Sequence, residues 1–285
     1  MHDYHAHSNP NAVSRQFIHR LRRSPGLRSV AYICTCAALP RVAPGPLPGK
    51  DPWSRAANRT YGSVVVFSTT WLFSRLGDDA YFRWKRSEVP VRLREGAIGL
   101  GLGASAFGAF TAVACALDWV SIPEWGWQTE RASDVNTTLL SLGVYQLAVA
   151  SSEELIFRGY ALHTLGQAIG VPAATTLLNL MFARAHGNDP QVLLGQSALG
   201  LALTTLRLTG QSIWMPIGYH FAWNYAQTAL LGPTDAPTSL LPMHNHGPEE
   251  WIGKPGHPEP GLLSTLLNLT VAAGIALLWW RHRKR

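Results

Sequence analysis

Gly96 to Leu117 runs without a single charged side chain. A helix needs roughly 20 apolar residues to cross the hydrocarbon core of a bilayer, and this stretch is long enough to do so. Leu262 to Trp280 is a second such stretch, ending in Trp279-Trp280 and then Arg281, His282, Arg283, Lys284 and Arg285. Paired tryptophans at headgroup level followed by a basic cluster mark a helix leaving a membrane on its cytoplasmic side. A composition of 47% hydrophobic and 14% charged residues would suit either a soluble enzyme or a membrane protein diluted by polar tails. The two segments decide for an integral membrane protein.

Four less uniform apolar stretches lie between them: Thr137 to Leu165, Val171 to His186, Gln191 to Leu208 and Gln211 to Leu231. Each is bounded by glycine, proline or a polar turn, the sharpest being Gly187-Asn188-Asp189-Pro190. Six crossings follow for residues 96–285. The fold class is all-α, a polytopic transmembrane bundle of about six to eight helices with its active site inside the membrane.

Basic residues in short loops stay on the cytoplasmic side. The loop before Gly96 holds Arg83, Lys85, Arg86, Arg92 and Arg94, so that helix starts inside, whereas the next loop, with Asp118, Glu124, Glu130, Asp134 and only Arg131, reads as outside. Six crossings return the C-terminus to the cytoplasm, as expected in a bacterial plasma membrane. Arg158 and Arg207 then fall toward the inner face. Tyr61 to Leu76 reads as a re-entrant or interfacial helix, or as a crossing paired with a weak one near Val30 to Leu39; with its basic loop it occupies residues 61–95.

Residues 1–60 combine Pro, Arg, Ser and His with little apolar periodicity and read as a loosely ordered arm. His2, His5 and His7 belong to it and have no second ligand set. Three cysteines, Cys34, Cys36 and Cys115, support neither a disulfide framework nor a cysteine zinc cluster. The formal charge of +7 gathers in the arm, the loop before Gly96 and the tail, where anionic lipid headgroups, not nucleic acid, are the matching partner.

Ionisable residues within these apolar stretches carry the functional signal, because charges at membrane depth are costly and face each other, a wet cavity or a substrate. Glu153 and Glu154 precede Arg158; His186 lies four residues after Phe182; His220 lies four before Asn224. Four-residue spacing puts two side chains on one helix face, so Glu154 pairs with Arg158 while Glu153 points elsewhere and stays free to act on water. His220 and Asn224 share a face. They suit hydrogen bonding to an oxyanion, metal ligation with substrate orientation, or an interhelical contact that only holds the bundle together.

Ser152-Glu153-Glu154-Leu155-Ile156-Phe157-Arg158-Gly159 resembles a Glu-Glu-x-x-x-Arg signature, Phe182 to His186 a Phe-x-x-x-His signature, and His220 to Asn224 a His-x-x-x-Asn signature. In this order they resemble the motifs of the CAAX protease and bacteriocin-processing family of intramembrane proteases, over about Leu139 to Leu231. The resemblance implies that Glu153 is the general base, that His186 helps to position the water, that His220 and Asn224 stabilise the oxyanion, and that Glu154, Arg158 and Phe182 shape the site. Arg184, inside the second motif, departs from the pattern and adds a positive charge near His186.

Glu153, His186 and His220 would also make a zinc ligand set with one open position, consistent with the metalloprotease label of the family. The same groups serve metal-free, glutamate-activated hydrolysis, and no His-Glu-x-x-His helix argues for zinc. The expected activity is an intramembrane endopeptidase working near the cytoplasmic membrane face on peptide or protein substrates, lipidated ones among them, in contact with membrane lipids. A non-catalytic scaffold or bacteriocin-immunity protein is the alternative; a transporter is disfavoured because no inverted repeat is present.

Overall fold

The computed structural model describes residues 10–42, 45, 47–77, 85–123, 125–128, 132–210, 212–232, 239–254 and 257–283. His2, His5, His7, Arg83, Glu124, Glu130, Arg131, Lys284 and Arg285 lie outside the described residues. Among the described residues the chain is all-α apart from one two-residue strand pair and an isolated bridge between Lys254 and His257.

Helices α1 (Pro10–Arg23) and α2 (Pro25–Val42) occupy the stretch expected to be a loose arm. The physical reason is burial: Tyr32 and Cys36 of α2 pack with Phe73, Tyr160, Leu165 and Leu178 in a compact cluster. Helix α3 (Pro52–Leu76) begins at Asp51, whose carboxylate accepts from the amides of Trp53 and Ser54 while Pro52 takes the first turn. Tyr61 to Leu76 lies within it, and the Tyr32 and Thr70 hydroxyls meet at 2.8 Å and tie α2 to α3.

Helix α4 (Val89–Ala116) runs back along the bundle. Helix α5 (Ala132–Glu154), a π-helical segment (Leu155–Tyr160) and α6 (Ala161–Ile169) follow as one interrupted rod, with Gly159 off helical geometry at φ −87 and ψ −110. The sequence reads Thr137 to Leu165 as one helix; the structure bends it. Gly170 ends α6 at φ +83, a left-handed conformation that side chains oppose, and α7 (Val171–His186) starts at once. Then come α8 (Pro190–Thr209), capped by Asp189, α9 (Trp214–Tyr225) with a π-helical end (Ala226–Leu230), the short α10 (Glu249–Ile252) and α11 (Leu262–Arg283).

Strand β1 (Val120–Ser121) pairs antiparallel with β2 (His244–Asn245), and Gln191 Nε2 donates to the Glu250 carbonyl. The loops after α4, α7 and α9 therefore gather at one end of the bundle. The start of α4, the ends of α8 and α11 and the start of α9 gather at the other, where the Ser212 hydroxyl bonds Glu95. Ser63 of α3 donates to the Ala148 carbonyl and Tyr160 donates to that of Phe73, so α3 and α5 run parallel. By length and composition, three helical stretches among the described residues suit a membrane crossing: Arg86–Ala116, Pro190–Thr209 and Leu262–Arg283. Leu93, Leu140, Leu147, Leu180, Leu266 and Leu278 are exposed on the outside of the bundle, a belt that water would penalise and lipid accepts.

Helices α4 and α9 approach most closely. A Cβ at Gly99 would meet the Met215 carbonyl, one at Gly103 the Tyr219 carbonyl, and one at Gly218 the Gly96 carbonyl. Small residues at such a contact let two backbones touch and maximise dispersion where lipid offers no hydrophobic drive. Gly103→Leu is expected to push α9 away, lowering stability by about 1–3 kcal/mol as overpacking does. Gly101, with nothing within 4 Å of its would-be Cβ, is the control: Gly101→Ala should leave the thermal midpoint in detergent unchanged or raised.

Candidate active site

Glu153 and Glu154 are consecutive on α5 and diverge by about 100°. Glu154 turns into the bundle and is fully buried, as is Arg158. Arg158 Nη1 donates to Glu154 Oε1 at 3.1 Å, Nη2 to the Gly200 carbonyl at 3.1 Å and to Asn179 Oδ1 at 3.3 Å, and Nε reaches Thr204 Oγ1 at 3.4 Å. The guanidinium also stands 4.2 Å above the Phe182 ring. This buried cation is met on every edge by a carboxylate, amide, carbonyl, hydroxyl or π face, which is what allows it to remain charged away from water.

Glu154 Oε1 takes a second bond, from His220 Nδ1 at 2.9 Å. A carboxylate accepts, so Nδ1 carries the proton and Nε2 faces the other way. The same logic fixes His186, whose Nδ1 donates to the Phe182 carbonyl at 2.8 Å. Both Nε2 atoms look toward one atom, Glu153 Oε2, each at 3.9 Å. That oxygen is buried and has no hydrogen-bond partner among the described residues. Phe182 is a wall common to the group, its ring centroid 4.6 Å from His186 and 6.2 Å from His220.

The structure thus brings Glu153, Glu154, Arg158, Phe182, His186 and His220 together. Asn224 lines the same cavity, of about 400 Å³, one helical turn beyond His220. Arg184 is exposed at the end of α7. Reading of the sequence misses Arg59 of α3, whose Nη2 donates to Glu153 Oε1 at 3.1 Å, and the cavity residues Gln196, Gln227, His257 and Glu259. Gln227 donates to the Glu259 carboxylate, joining the π-helical end of α9 to the segment before α11. Arg59 carries no sequence signal, being one of many arginines in the basic first third of the chain.

Tetrahedral zinc holds nitrogen and oxygen ligands at about 2.0–2.1 Å, which sets neighbouring ligands about 3.3 Å apart. At 3.9 Å the Glu153 oxygen and either imidazole would subtend about 150° at such an ion, and Arg59 already neutralises the carboxylate. Among the described residues no group of three His, Cys, Asp or Glu side chains is set for a metal. The suggested ligand set of Glu153, His186 and His220 does not fit zinc in this arrangement.

Two further cavities adjoin the site. One, of about 520 Å³, lies among α2, α3 and α7 with mostly apolar walls that include Cys36, Leu39, Val65, Ile156 and Phe157, and it shares Arg59, Glu153 and His186 with the site. The other, of about 620 Å³, opens among Asp189, Gln191, Glu249, Lys254 and His257, at the loop end. The open mouth is therefore at the end opposite Arg281 and Arg283, because His186 terminates α7 at the loop end. Inward placement of Arg158 had suggested the basic end.

Removing one member of a buried pair leaves an uncompensated charge, at a cost of about 3–5 kcal/mol. Arg158→Ala is expected to lower stability by that order, and the double variant Glu154→Ala, Arg158→Ala by less than the single. Glu153→Ala, at the cavity edge, should change it little. Thermal unfolding in detergent followed by tryptophan fluorescence measures all three.

A family model described as type II CAAX prenyl endopeptidase, Rce1-like, matches residues 135–226. No curated protein and no solved structure matches. The matched stretch runs from the first turn of α5 into the π-helical end of α9 and holds Glu153, His186, His220 and Asn224. Over residues 135–226, about a third of the chain, the protein is similar to the Rce1-like, type II CAAX prenyl endopeptidase family.

Proposed function

We propose that the protein is a glutamate-dependent intramembrane endopeptidase, with Glu153 as the base that activates water. The observation that carries this reading is the buried, unpartnered Glu153 Oε2 facing both histidine Nε2 atoms at 3.9 Å. Two hydrogen bonds of about 2.8 Å span that gap at about 90°, so one water oxygen fits among the three groups where a zinc ion does not.

In the reaction the water oxygen attacks the scissile carbonyl carbon while its proton passes to Glu153. Negative charge gathers on the carbonyl oxygen. Asn224 donates to it through its amide, and His220 donates from Nε2 as the imidazolium, with Glu154 behind Nδ1 balancing that charge. Glu153 then returns the proton to the leaving nitrogen, the carbon–nitrogen bond breaks, and a carboxylate and an amine are released. His186, with its Nδ1 tied to Phe182, keeps Nε2 on the water.

Substrates are peptides or proteins reached from the membrane. The apolar chamber of about 520 Å³ beside Glu153 supports one with a large apolar group near the scissile bond, a lipidated peptide included. With the basic end cytoplasmic, the mouth opens on the far side, and cleavage near the cytoplasmic face is not the reading this geometry favours.

Two experiments test these statements. In detergent or liposomes, with quenched peptides carrying or lacking a lipid, Glu153→Ala and His220→Ala should each lose at least about 100-fold in kcat/KM; unchanged activity in both sinks the mechanism. After replacement of the native cysteines, Glu250→Cys should react with an impermeant maleimide in intact cells, and His282→Cys only in opened membranes. Labelling of the second from outside reverses the orientation.

A further inference from the structure

The family match begins at residue 135 and includes nothing of α3, yet α3 puts a cation on the proposed base. Arg59 Nη2 lies 3.1 Å from Glu153 Oε1 and 3.5 Å from Ser152 Oγ. The helix that carries it is fixed against α5: Ser63 donates to the Ala148 carbonyl one turn further on. Arg59 is a third exposed, so its worth is not that of a buried ion pair. Its value is geometric.

The two adjacent carboxylates repeat one arrangement. Glu154 gives Oε1 to Arg158 and Glu153 gives Oε1 to Arg59, and in both the Oε2 atom is buried without a hydrogen-bond partner among the described residues. With Oε1 held, the Glu153 carboxyl plane is fixed, and Oε2 is turned to the two imidazoles. The charges facing Glu153 are then Arg59 from α3, Glu154 on its own helix, His186 from α7 and His220 from α9, with His257 and Glu259 across the cavity. Two neighbouring carboxylates resist ionising together, and a cation on each relieves that opposition. Arg59 also lines both the apolar chamber and the catalytic cavity, and so stands between them.

We propose that Arg59 is a positioning residue for the peptidase reaction: it holds Glu153 Oε1 so that Oε2 and the histidines share one water. This rests on the reading of Glu153 as the base. A residue that fixes the base without touching substrate lowers kcat and leaves KM in place. A residue that only joins α3 to α5 lowers stability and leaves kcat in place.

The test compares Arg59→Gln, Ser63→Ala and Glu153→Gln in the full chain, with kcat, KM and thermal midpoint measured for each. Arg59→Gln is expected to lose about 10-fold or more in kcat with KM within about threefold, and to cost nothing further when added to Glu153→Gln. Ser63→Ala, which removes the other polar tie between α3 and α5, should keep the parent kcat. Parent kcat in folded Arg59→Gln overturns the proposal, as does a loss equal to that of Ser63→Ala. If the glutamine variant does not fold, Arg59→Lys decides: its ammonium, shorter and without the planar fork, should lower kcat severalfold at constant KM, and parent kcat there is equally fatal. Full activity of Glu153→Gln would instead strike the proposed mechanism, a different outcome from failure of Arg59 alone.

Discussion

The Glu154 carboxylate is the fixed point of the molecule. It is fully buried, and one of its oxygens takes both the Arg158 guanidinium and the His220 Nδ1 proton. These partners come from the π-helical continuation of α5 and from α9, and Arg158 further binds α8 through Gly200 and Thr204 and α7 through Asn179 and Phe182. Four elements therefore converge on one charge. Such a cluster costs desolvation and adds less net stability than apolar packing would, but it penalises any register in which a member loses its partner. It specifies where the helices stop sliding.

Convergence on a point requires helices that come close and bend at set places. Gly99 and Gly103 bring α4 against α9, with Gly218 doing the same from the other side. Beyond Glu154 the rod passes into a π-helical turn, and beyond Tyr225 a second one begins. Each widening sits directly after a cluster of site residues, a common location for π-turns at functional positions. The turn after Tyr225 carries Gln227 toward Glu259, which closes the cavity from the segment before α11.

Much of this is legible in the sequence because it is local. Helix periodicity is enough to pair Glu154 with Arg158, to point Glu153 elsewhere, and to place His220 and Asn224 on one face, and those relations are found in the structure. What periodicity lacks is any measure of which helix stands opposite. Arg59 is far from Glu153 along the chain and has no pattern of its own, so its pairing appears only once α3 lies parallel to α5. Pro10 to Val42 fails as a helix by sequence for a related reason: its proline, arginine and serine content speaks against a core, whereas Tyr32 and Cys36 find one already built by α3 and α6. The mouth of the site lies away from the basic end for a geometric reason. Arg158 lies toward the basic end, but Glu153 and Glu154 are a turn earlier, and His186, the final residue of α7, draws the cavity toward the loop end.

Two adjacent glutamates in an apolar bundle look redundant until their partners are counted. One carboxylate alone could not both anchor four elements and accept a proton, because an anchor must keep its hydrogen bonds while a base must release and regain one. On the proposed mechanism the chain divides these tasks between neighbours on a helix, where a rotation of about 100° sends one inward and one to the cavity. Arg158 and Arg59 then give each its own cation. His220 touches both halves, with Nδ1 on Glu154 and Nε2 toward Glu153. The imidazole thereby links the two carboxylates, and its ring orientation is set by Glu154.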